Sequence, residues 1–273
     1  MNFLTLTADD GATGKICSQG AHLCSWIPAG GTEQLFMSKN TAWQAGTAIR
    51  GGVPVIFPQF AGMGSLPKHG FARTAEWQLA AHGISSSGAA QAVYQLRENI
   101  ARLTIWPYVF LAELTIRLAA NHLHISLEIT NTGDTAFSFT SALHTYLAVD
   151  DIRQVQLHGL QGRHYRDSLQ NGADALENAP FLQFDGEIDR IYGAVPSLLR
   201  VQQPHQQLEI RQHGFKDAVV WNPGATGAVK LADLEPGGEQ KMLCVEAASI
   251  LHPIRLAPGE SWNGSQILSV TLT

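Results

Sequence analysis

Apolar and polar side chains alternate one by one along several short stretches of this chain. The eight residues LHISLEIT at Leu123–Thr130 alternate strictly, and the same period of two recurs at 114–118, 208–211 and 268–272. Successive side chains of a strand point to opposite faces of a sheet, so this pattern predicts half-buried strands in antiparallel sheets. Turn-forming sequences separate the stretches: GISSSG at 83–88, NTGD at 131–134, PGATG at 223–227 and PGG at 236–238.

Helical periodicity is scarce in the sequence. We expect only short helical turns near Asp174–Ala179, because no long amphipathic stripe with good end caps is present. No repeat of fixed period and no Pro/Ser-rich linker divides the chain. The pattern predicts an all-β fold: one large antiparallel β-sandwich, formed by a single domain over residues 1–273. The broad concave face of such a sheet would suit a sugar.

Composition narrows the classes of partner. The 273 residues are 45% hydrophobic, enough for a large core, and the net charge of −5 favours neither nucleic acid nor a membrane as partner. The three cysteines, Cys17, Cys24 and Cys244, form no C-x-x-C pair, which argues against a disulfide framework or a zinc cluster. The odd number of cysteines fits a reducing cytosol, so we expect a cytoplasmic protein. We also expect no signal peptide in the leading MNFLTLTADDGATGK and no membrane helix.

Cations are concentrated in residues 50–73, a segment otherwise apolar and rich in glycine and proline. It carries Arg50, Lys68 and Arg73 but matches neither G-x-x-x-x-G-K-[ST] nor G-x-G-x-x-G, so side chains would have to bind an anion there. Arginine suits this task, because its planar fork can donate two hydrogen bonds to one phosphate. The alternative is that Arg50 and Arg73 are surface residues paired with carboxylates.

Four further residues could carry chemistry: His69, His144, Asp189 and Glu246. Glu246 is notable because it lies in the apolar run MLCVEAA at 242–248, where a carboxylate is seldom buried without a partner. Two structural alternatives stay open. Glu246 could occupy the polar face of an edge strand, and His144 could be a structural histidine bonded to a backbone carbonyl.

Other potentially reactive residues lack a supporting pattern. His122 and His124 share the polar face of the alternating stretch and are expected to form a surface pair, since no further metal ligand is suggested nearby. No G-x-S-x-G elbow is present, and Cys244 lacks a recognisable activating motif.

An ordered set of motifs resembles one family. IRGGVPVIFPQF, LPKHGFAR, LHTYLAVDDI, GEIDRIY, VVWNP and CVEA resemble the D-hexose-6-phosphate mutarotases (glucose-6-phosphate 1-epimerases) of the aldose 1-epimerase superfamily. The resemblance covers the chain from about Arg50 to the C-terminus. It implies a galactose-mutarotase-like supersandwich and an isomerase that interconverts the α and β anomers of hexose 6-phosphates, above all glucose 6-phosphate. It also implies a sugar-phosphate substrate, no cofactor, and a monomer or weak homo-oligomer.

The resemblance assigns the catalytic pair to His144 and Glu246. Opening a pyranose ring requires an acid at the ring oxygen and a base at the C1 hydroxyl. We expect His144 to protonate the ring oxygen and Glu246 to take the hydroxyl proton, with the roles reversed on closure. Each such group typically contributes about 10²–10⁴-fold.

The resemblance also assigns the substrate-binding residues. It places Arg50, Lys68 and Arg73 at the 6-phosphate, with Lys68 standing where members often carry glutamine. It places His69 and Asp189 at the sugar hydroxyls.

Three other functions compete with this interpretation. A non-enzymatic carbohydrate-binding sandwich would not need His144 opposed to Glu246. A glycoside hydrolase usually needs two facing carboxylates in place of a histidine and a glutamate. An epimerase of unphosphorylated aldoses would not need the three cations of residues 50–73.

Overall fold

Strands dominate the computed structural model, which describes residues 1–272. In chain order, its strands β1 to β20 are Phe3–Thr7, Thr13–Cys17, His22–Ile27, Val55–Ile56, Gln78–Ile84, Ala90–Arg97, Phe110–Ala119, His122–Asn131, Phe137–Leu143, Tyr146–Ala148, Gln156–His158, His164–Asp167, Ala173–Leu176, Phe181–Leu182, Ile188–Tyr192, Leu198–Gln202, Gln206–His213, Asp217–Asn222, Met242–Leu256 and Ser261–Leu272. Two short α-helices, α1 and α2, cover Ile100–Ile105 and Gly224–Ala228. Short 3₁₀ turns cover Ala72–Thr74, Ile152–Gln154, Ser168–Gln170 and Gly238–Gln240.

The strands form one small and two large sheets. The small sheet has the order β1-β2-β3. The eight-stranded sheet has the order β13-β12-β15-β18-β19-β9-β4, with β10 paired to β19, and the nine-stranded sheet has the order β14-β11-β16-β17-β20-β8-β7-β6-β5. Neighbouring strands of both large sheets run antiparallel, which confirms the sequence-based prediction.

The nine-stranded sheet shows the alternation seen in the sequence. In β8, Leu123, Ile125, Leu127 and Ile129 are buried, whereas the residues between them are partly exposed. Strand β7 alternates in the same way and lies in register with β8, so that Ile116 faces Ile125. His122 and His124 lie on the outer face of β8, as expected for a surface pair.

The core lies between the two large sheets. One cluster of buried side chains includes Ile116 and Ile125 from the nine-stranded sheet and Val220 and Val245 from the eight-stranded sheet. Because both sheets contribute their inner faces to the same cluster, the architecture is a β-sandwich. That residues 1–273 form a single domain stays a prediction.

The first nine residues of strand β19 are buried on both faces. Val245 lies in the main core, whereas the neighbouring Cys244 packs in a different apolar cluster and Ala248 in a third. Alternate residues of a strand point to opposite faces, so Glu246 lies on the outer face with Cys244 and Ala248. The interpretation of Glu246 as a residue on the polar face of an edge strand is wrong, because β19 lies between β18 and β9.

The expectation of helical turns near Asp174–Ala179 is wrong. Residues Ala173–Leu176 form β13, which pairs with β12 so that Asp174 faces Arg166. The two side chains also form an ion pair across the hairpin, at 3.4 Å between Nε and Oδ1. Strand pairing therefore overrides the weak local helical preference. Within residues 1–272, no helix is long and apolar enough to cross a membrane.

Candidate active site

A cavity of about 450 Å³ opens on the outer face of the eight-stranded sheet. Its volume lies within the range usual for small-molecule sites, about 300–1,000 Å³. All the site residues expected from the sequence line it: Arg50, Lys68, His69, Arg73, His144, Asp189 and Glu246. Residues that were not expected also line it, among them Phe60, Tyr146, Ser168, Ile191, Val219, Trp221 and Leu231.

His144 and Glu246 face each other inside this cavity. His144 follows the last residue of β9 and is fixed by its backbone N–H, which donates to the Pro54 carbonyl at 3.0 Å. Its ring atom Nδ1 lies 3.4 Å from Oε1 of Glu246, which is only 1% exposed. No backbone carbonyl among residues 1–272 accepts a hydrogen bond from His144 Nδ1. The ring instead stacks on Tyr146, with centroids 4.8 Å apart and planes 8° from parallel.

Burial pushes both members of the pair toward their neutral forms. It raises the pKa of the Glu246 carboxyl well above its usual range, and nearby Asp189 adds to the rise. Burial also lowers the pKa of the His144 imidazole, to which the charges of Arg50 and Arg73 contribute. The protein alone therefore favours one proton on the pair, held by the carboxyl. Such a pair contains one proton donor and one proton acceptor.

Two glycines bring Arg50 to the cavity. Gly51 and Gly52 have φ values of +112° and +58°, which favour glycine. A Cβ on Gly51 would clash with the Phe36 carbonyl oxygen, and one on Gly52 would clash with the Leu23 carbonyl oxygen. Glycine at both positions therefore allows the backbone after Arg50 to pass close to the backbone of Phe36 and Leu23, which a residue with a side chain would prevent.

The Arg50 guanidinium is held by two polar neighbours. Nη1 donates to Oη of Tyr146 at 3.0 Å, and Nη2 donates to Oδ1 of Asp233 at 3.1 Å. The Trp221 ring lies below it, 5.9 Å from the guanidinium carbon. The alternative of a carboxylate partner is right for Arg50, but Arg50 lines the cavity and is not a free surface residue.

Arg73 has a different environment. It lies in the 3₁₀ turn Ala72–Thr74, and Nη2 donates to the backbone carbonyl of Lys68 at 3.1 Å. Within residues 1–272, no carboxylate lies within ion-pair distance of Arg73, so the alternative of a surface ion pair is wrong there. Burial lowers its pKa, although an arginine stays charged at any working pH. A largely desolvated cation without a carboxylate is a ready anion site.

His69 is a neutral hydrogen-bond donor. Its backbone has φ +67°, and its Nδ1 accepts from the Ala61 N–H at 3.3 Å. Burial, with Arg73 and Lys68 nearby, lowers its pKa to about 3. The ring proton therefore lies on Nε2, which can donate to a hydroxyl group. Lys68 itself is exposed at the edge of the cavity.

Asp189 completes the set of expected residues. It lies in β15 opposite Trp221 of β18, and burial raises its pKa. Ser168 and Asp233 were missed, because neither carries a local sequence signal. Trp221 could have been found in the motif VVWNP. Within the described part of the chain, no group of three or more His, Cys, Asp or Glu side chains could hold a metal ion.

Comparisons with known proteins agree with the motifs. The family model described as aldose 1-epimerase matches residues 2–269. A protein of Cenchrus ciliaris named "Putative glucose-6-phosphate 1-epimerase" is 35% identical over 93% of this chain and 80% of its own length.

Solved structures share the fold. The crystal structure of a "putative mutarotase" from Salmonella typhimurium superposes with a TM-score of 0.91 at 28% identity, over 99% of this chain and 90% of that one. A galactose mutarotase related enzyme from Lactobacillus acidophilus has a TM-score of 0.77 at 14% identity, over 98% and 97% of the two chains, which shows the fold alone. The predicted supersandwich and the resemblance to the mutarotases are confirmed. This chain belongs to the aldose 1-epimerase family.

Proposed function

We propose that this protein interconverts the α and β anomers of hexose 6-phosphates, with glucose 6-phosphate as the main substrate. One observation carries the proposal: an acid–base pair and two guanidinium groups line the same cavity. Tyr146 joins the two parts, because it stacks on His144 and accepts a hydrogen bond from Arg50. A sugar with its anomeric carbon at the pair could therefore place an anionic group at the guanidinium groups.

The pair His144 and Glu246 carries the single proton that ring opening needs. His144 gives a proton to the ring oxygen while Glu246 takes the proton of the C1 hydroxyl. After rotation about the C1–C2 bond of the aldehyde, the same two groups close the ring with their roles reversed. In the protein alone the proton favours Glu246, partly because Arg50 and Arg73 disfavour a charged His144. The phosphate offsets those two positive charges, so its binding favours the protonated imidazole.

The remaining polar groups orient the sugar. His69 donates from Nε2, and the Asp189 carboxylate accepts from hydroxyl groups. Trp221 and Ile191 supply an apolar surface in the same cavity. A pyranose has both kinds of surface, with hydroxyl groups around its edge and C–H groups on its faces.

The cations bind the 6-phosphate, which carries about −1.5 to −2 charges at pH 7. Arg73 is the strongest candidate because, within residues 1–272, no carboxylate lies within ion-pair distance of it. Arg50 is oriented by Tyr146 and Asp233, and Lys68 stands at the exposed edge. An epimerase of unphosphorylated aldoses would have no use for these three cations.

The test compares anomer exchange of glucose 6-phosphate and of glucose by NMR saturation transfer. We expect the protein to accelerate exchange of both sugars, with a much larger kcat/KM for the phosphorylated one. Equal values for both would point to an aldose epimerase that does not recognise phosphate. Binding of glucose 6-phosphate without faster exchange would point to a carbohydrate-binding protein.

A further inference from the structure

A carboxylate stands beside one of the two half-buried arginines of the cavity. Oδ1 of Asp233 lies 3.1 Å from Nη2 of Arg50, and the two side chains are 33% and 20% exposed. The second amino group of the same guanidinium donates to Tyr146. Asp233 thus fixes the orientation of Arg50, and it also places a negative charge where a phosphate is expected to bind.

The backbone around Asp233 is anchored on its C-terminal side. Leu234 is buried in an apolar cluster. The Glu235 carboxylate accepts from Oγ of Ser38 at 2.6 Å and from the backbone N–H of Lys39 at 3.1 Å. These contacts hold the segment against the residues that precede Arg50 in the chain. Asp233 therefore has little freedom to move away when an anion enters.

The effect of Asp233 follows from the charges of the two arginines. Two guanidinium groups, Arg50 and Arg73, would bind a dianion tightly if nothing offset them. The fixed carboxylate of Asp233 offsets part of their charge and repels the phosphate directly. Phosphate contacts are the same in both anomers and in the transition state, so stronger binding there would not speed the chemical step. It would slow release of the product.

We propose that Asp233 is a specificity-determining residue: it orients Arg50 and limits the affinity of the site for the phosphate group. This inference rests on the proposed function and deepens it. Asp233 lowers the affinity for the 6-phosphate while leaving recognition of the sugar ring unchanged. The expected consequence is fast exchange of substrate and product at a site that still selects phosphorylated sugars.

The decisive variant is Asp233→Asn, which keeps an oxygen acceptor for Arg50 and removes the charge. We expect KM for glucose 6-phosphate to fall about three- to tenfold, the Kd of inorganic phosphate to fall in parallel, and KM for glucose to stay unchanged. The gain should shrink at about 0.5 M salt, because the two charges are partly exposed and salt screens them. Asp185→Asn, which removes the same charge at an exposed position outside this cavity, should change none of these values.

A second variant separates charge from orientation. Asp233→Ala removes the charge and the acceptor together, so its gain in phosphate affinity should be smaller than that of Asp233→Asn. An unchanged or raised KM for glucose 6-phosphate in Asp233→Asn would overturn the inference, as would a gain that persists undiminished at high salt. If the wild-type protein itself did not prefer glucose 6-phosphate to glucose, the proposed function would fail first, whatever the variants showed.

Discussion

The two large sheets differ in what their outer faces meet. In the nine-stranded sheet, strand β8 buries one face in the core and turns His122, His124 and the other alternate residues toward solvent. In the eight-stranded sheet, the first nine residues of β19 are buried on both faces. A charge on the outer face of β8 is hydrated, whereas Glu246 on the outer face of β19 is not.

This difference explains where chemistry can occur. Electrostatic interactions are stronger where water is excluded, and pKa values move furthest there. On the outer face of β8, partial burial lowers the pKa of His124. In the cavity, full burial moves the pKa values of His144 and Glu246 much further, and in opposite directions. A desolvated acid–base pair needs a strand that is covered on both faces, as β19 is over its first nine residues.

We expect the largest effect from a substitution on the outer face of β19, and a different kind of effect from a substitution on its core face. Glu246→Gln should lower kcat for anomer exchange by about 10²–10⁴-fold while leaving sugar-phosphate binding largely intact, because an amide cannot take the hydroxyl proton. The neighbouring Val245→Ala, on the core face, should lower the free energy of unfolding and leave kcat of the folded protein near the wild-type value. Saturation-transfer NMR and urea titration measure the two effects. Near-normal exchange in Glu246→Gln would contradict the assignment.

His144→Asn tests the other half of the pair. Asparagine cannot deliver a proton to the ring oxygen, so we expect a loss of kcat similar to that of Glu246→Gln, about 10²–10⁴-fold. Binding of glucose 6-phosphate, followed by calorimetry, should persist. Full activity in this variant would move the role of acid to another residue, with His69 first in line because it lies 5.8 Å from His144 between ring centroids.

Substitutions in the nine-stranded sheet should change the stability of the protein and not its catalytic rate. Ile125 in β8 is 1% exposed, so Ile125→Ala should lower the free energy of unfolding by about 2–5 kcal/mol. Replacing the preceding residue, His124→Ser, should change the free energy of unfolding by no more than about 0.5 kcal/mol, because His124 lies on the solvated face. Urea titration of both variants gives the comparison. A large loss of stability in His124→Ser would show that side chains on the outer face of β8 contribute to the stability of the fold.

Specificity for phosphorylated sugars should depend on the half-buried arginines of the cavity. Arg73→Ala should lower kcat/KM for glucose 6-phosphate by roughly ten- to a hundredfold, since a charge-assisted hydrogen bond contributes about 1.5–3 kcal/mol. Most of the loss should appear in KM, and Arg50→Ala should behave alike. Lys68→Gln should do less, because Lys68 is exposed. An equal loss for glucose would mean that Arg73 supports the fold and does not recognise phosphate.

The strands of the nine-stranded sheet could be predicted from the sequence, because the alternation of buried and exposed side chains is visible within a short stretch of the chain. Alternation along β8 directly reflects burial of one face, so the residues Leu123–Thr130 are by themselves enough to identify a strand. The run MLCVEAA gave no such signal, because a strand buried on both faces has no alternation. Only the structure shows that Val245 and Glu246 face different environments.

Some residues of the candidate site could likewise be predicted from the sequence, and others could not. The seven expected residues all reached one cavity because they lie in motifs of the family. Asp233 lies 183 positions from Arg50 in the chain, and nothing near it marks it as a partner. Contacts of that kind depend on how the segment after α2 folds back over the sheet. They could not be predicted from a single sequence.

The stability of the protein should depend on pH through a buried histidine, His22. His22 in β3 is fully buried, its Nε2 lies 2.9 Å from the Gly51 carbonyl oxygen, and burial lowers its pKa to about 4. The unfolded chain, with a histidine pKa of about 6.5, binds more protons between these values, so stability falls as pH drops from about 6.5 toward 4. Between pH 7.5 and 5 this group should remove about 2 kcal/mol from the free energy of unfolding.

The matched variants are His22→Gln and His122→Gln. The first replaces a titrating donor with one that does not titrate, so its loss of stability between pH 7.5 and 5 should be about 2 kcal/mol smaller than in the wild type. The second removes an exposed imidazole on the outer face of β8, so it controls for the loss of a histidine as such. Urea titrations at the two pH values measure both. If His22→Gln lost as much stability as the wild type, His22 would not be the buried neutral base that its surroundings indicate.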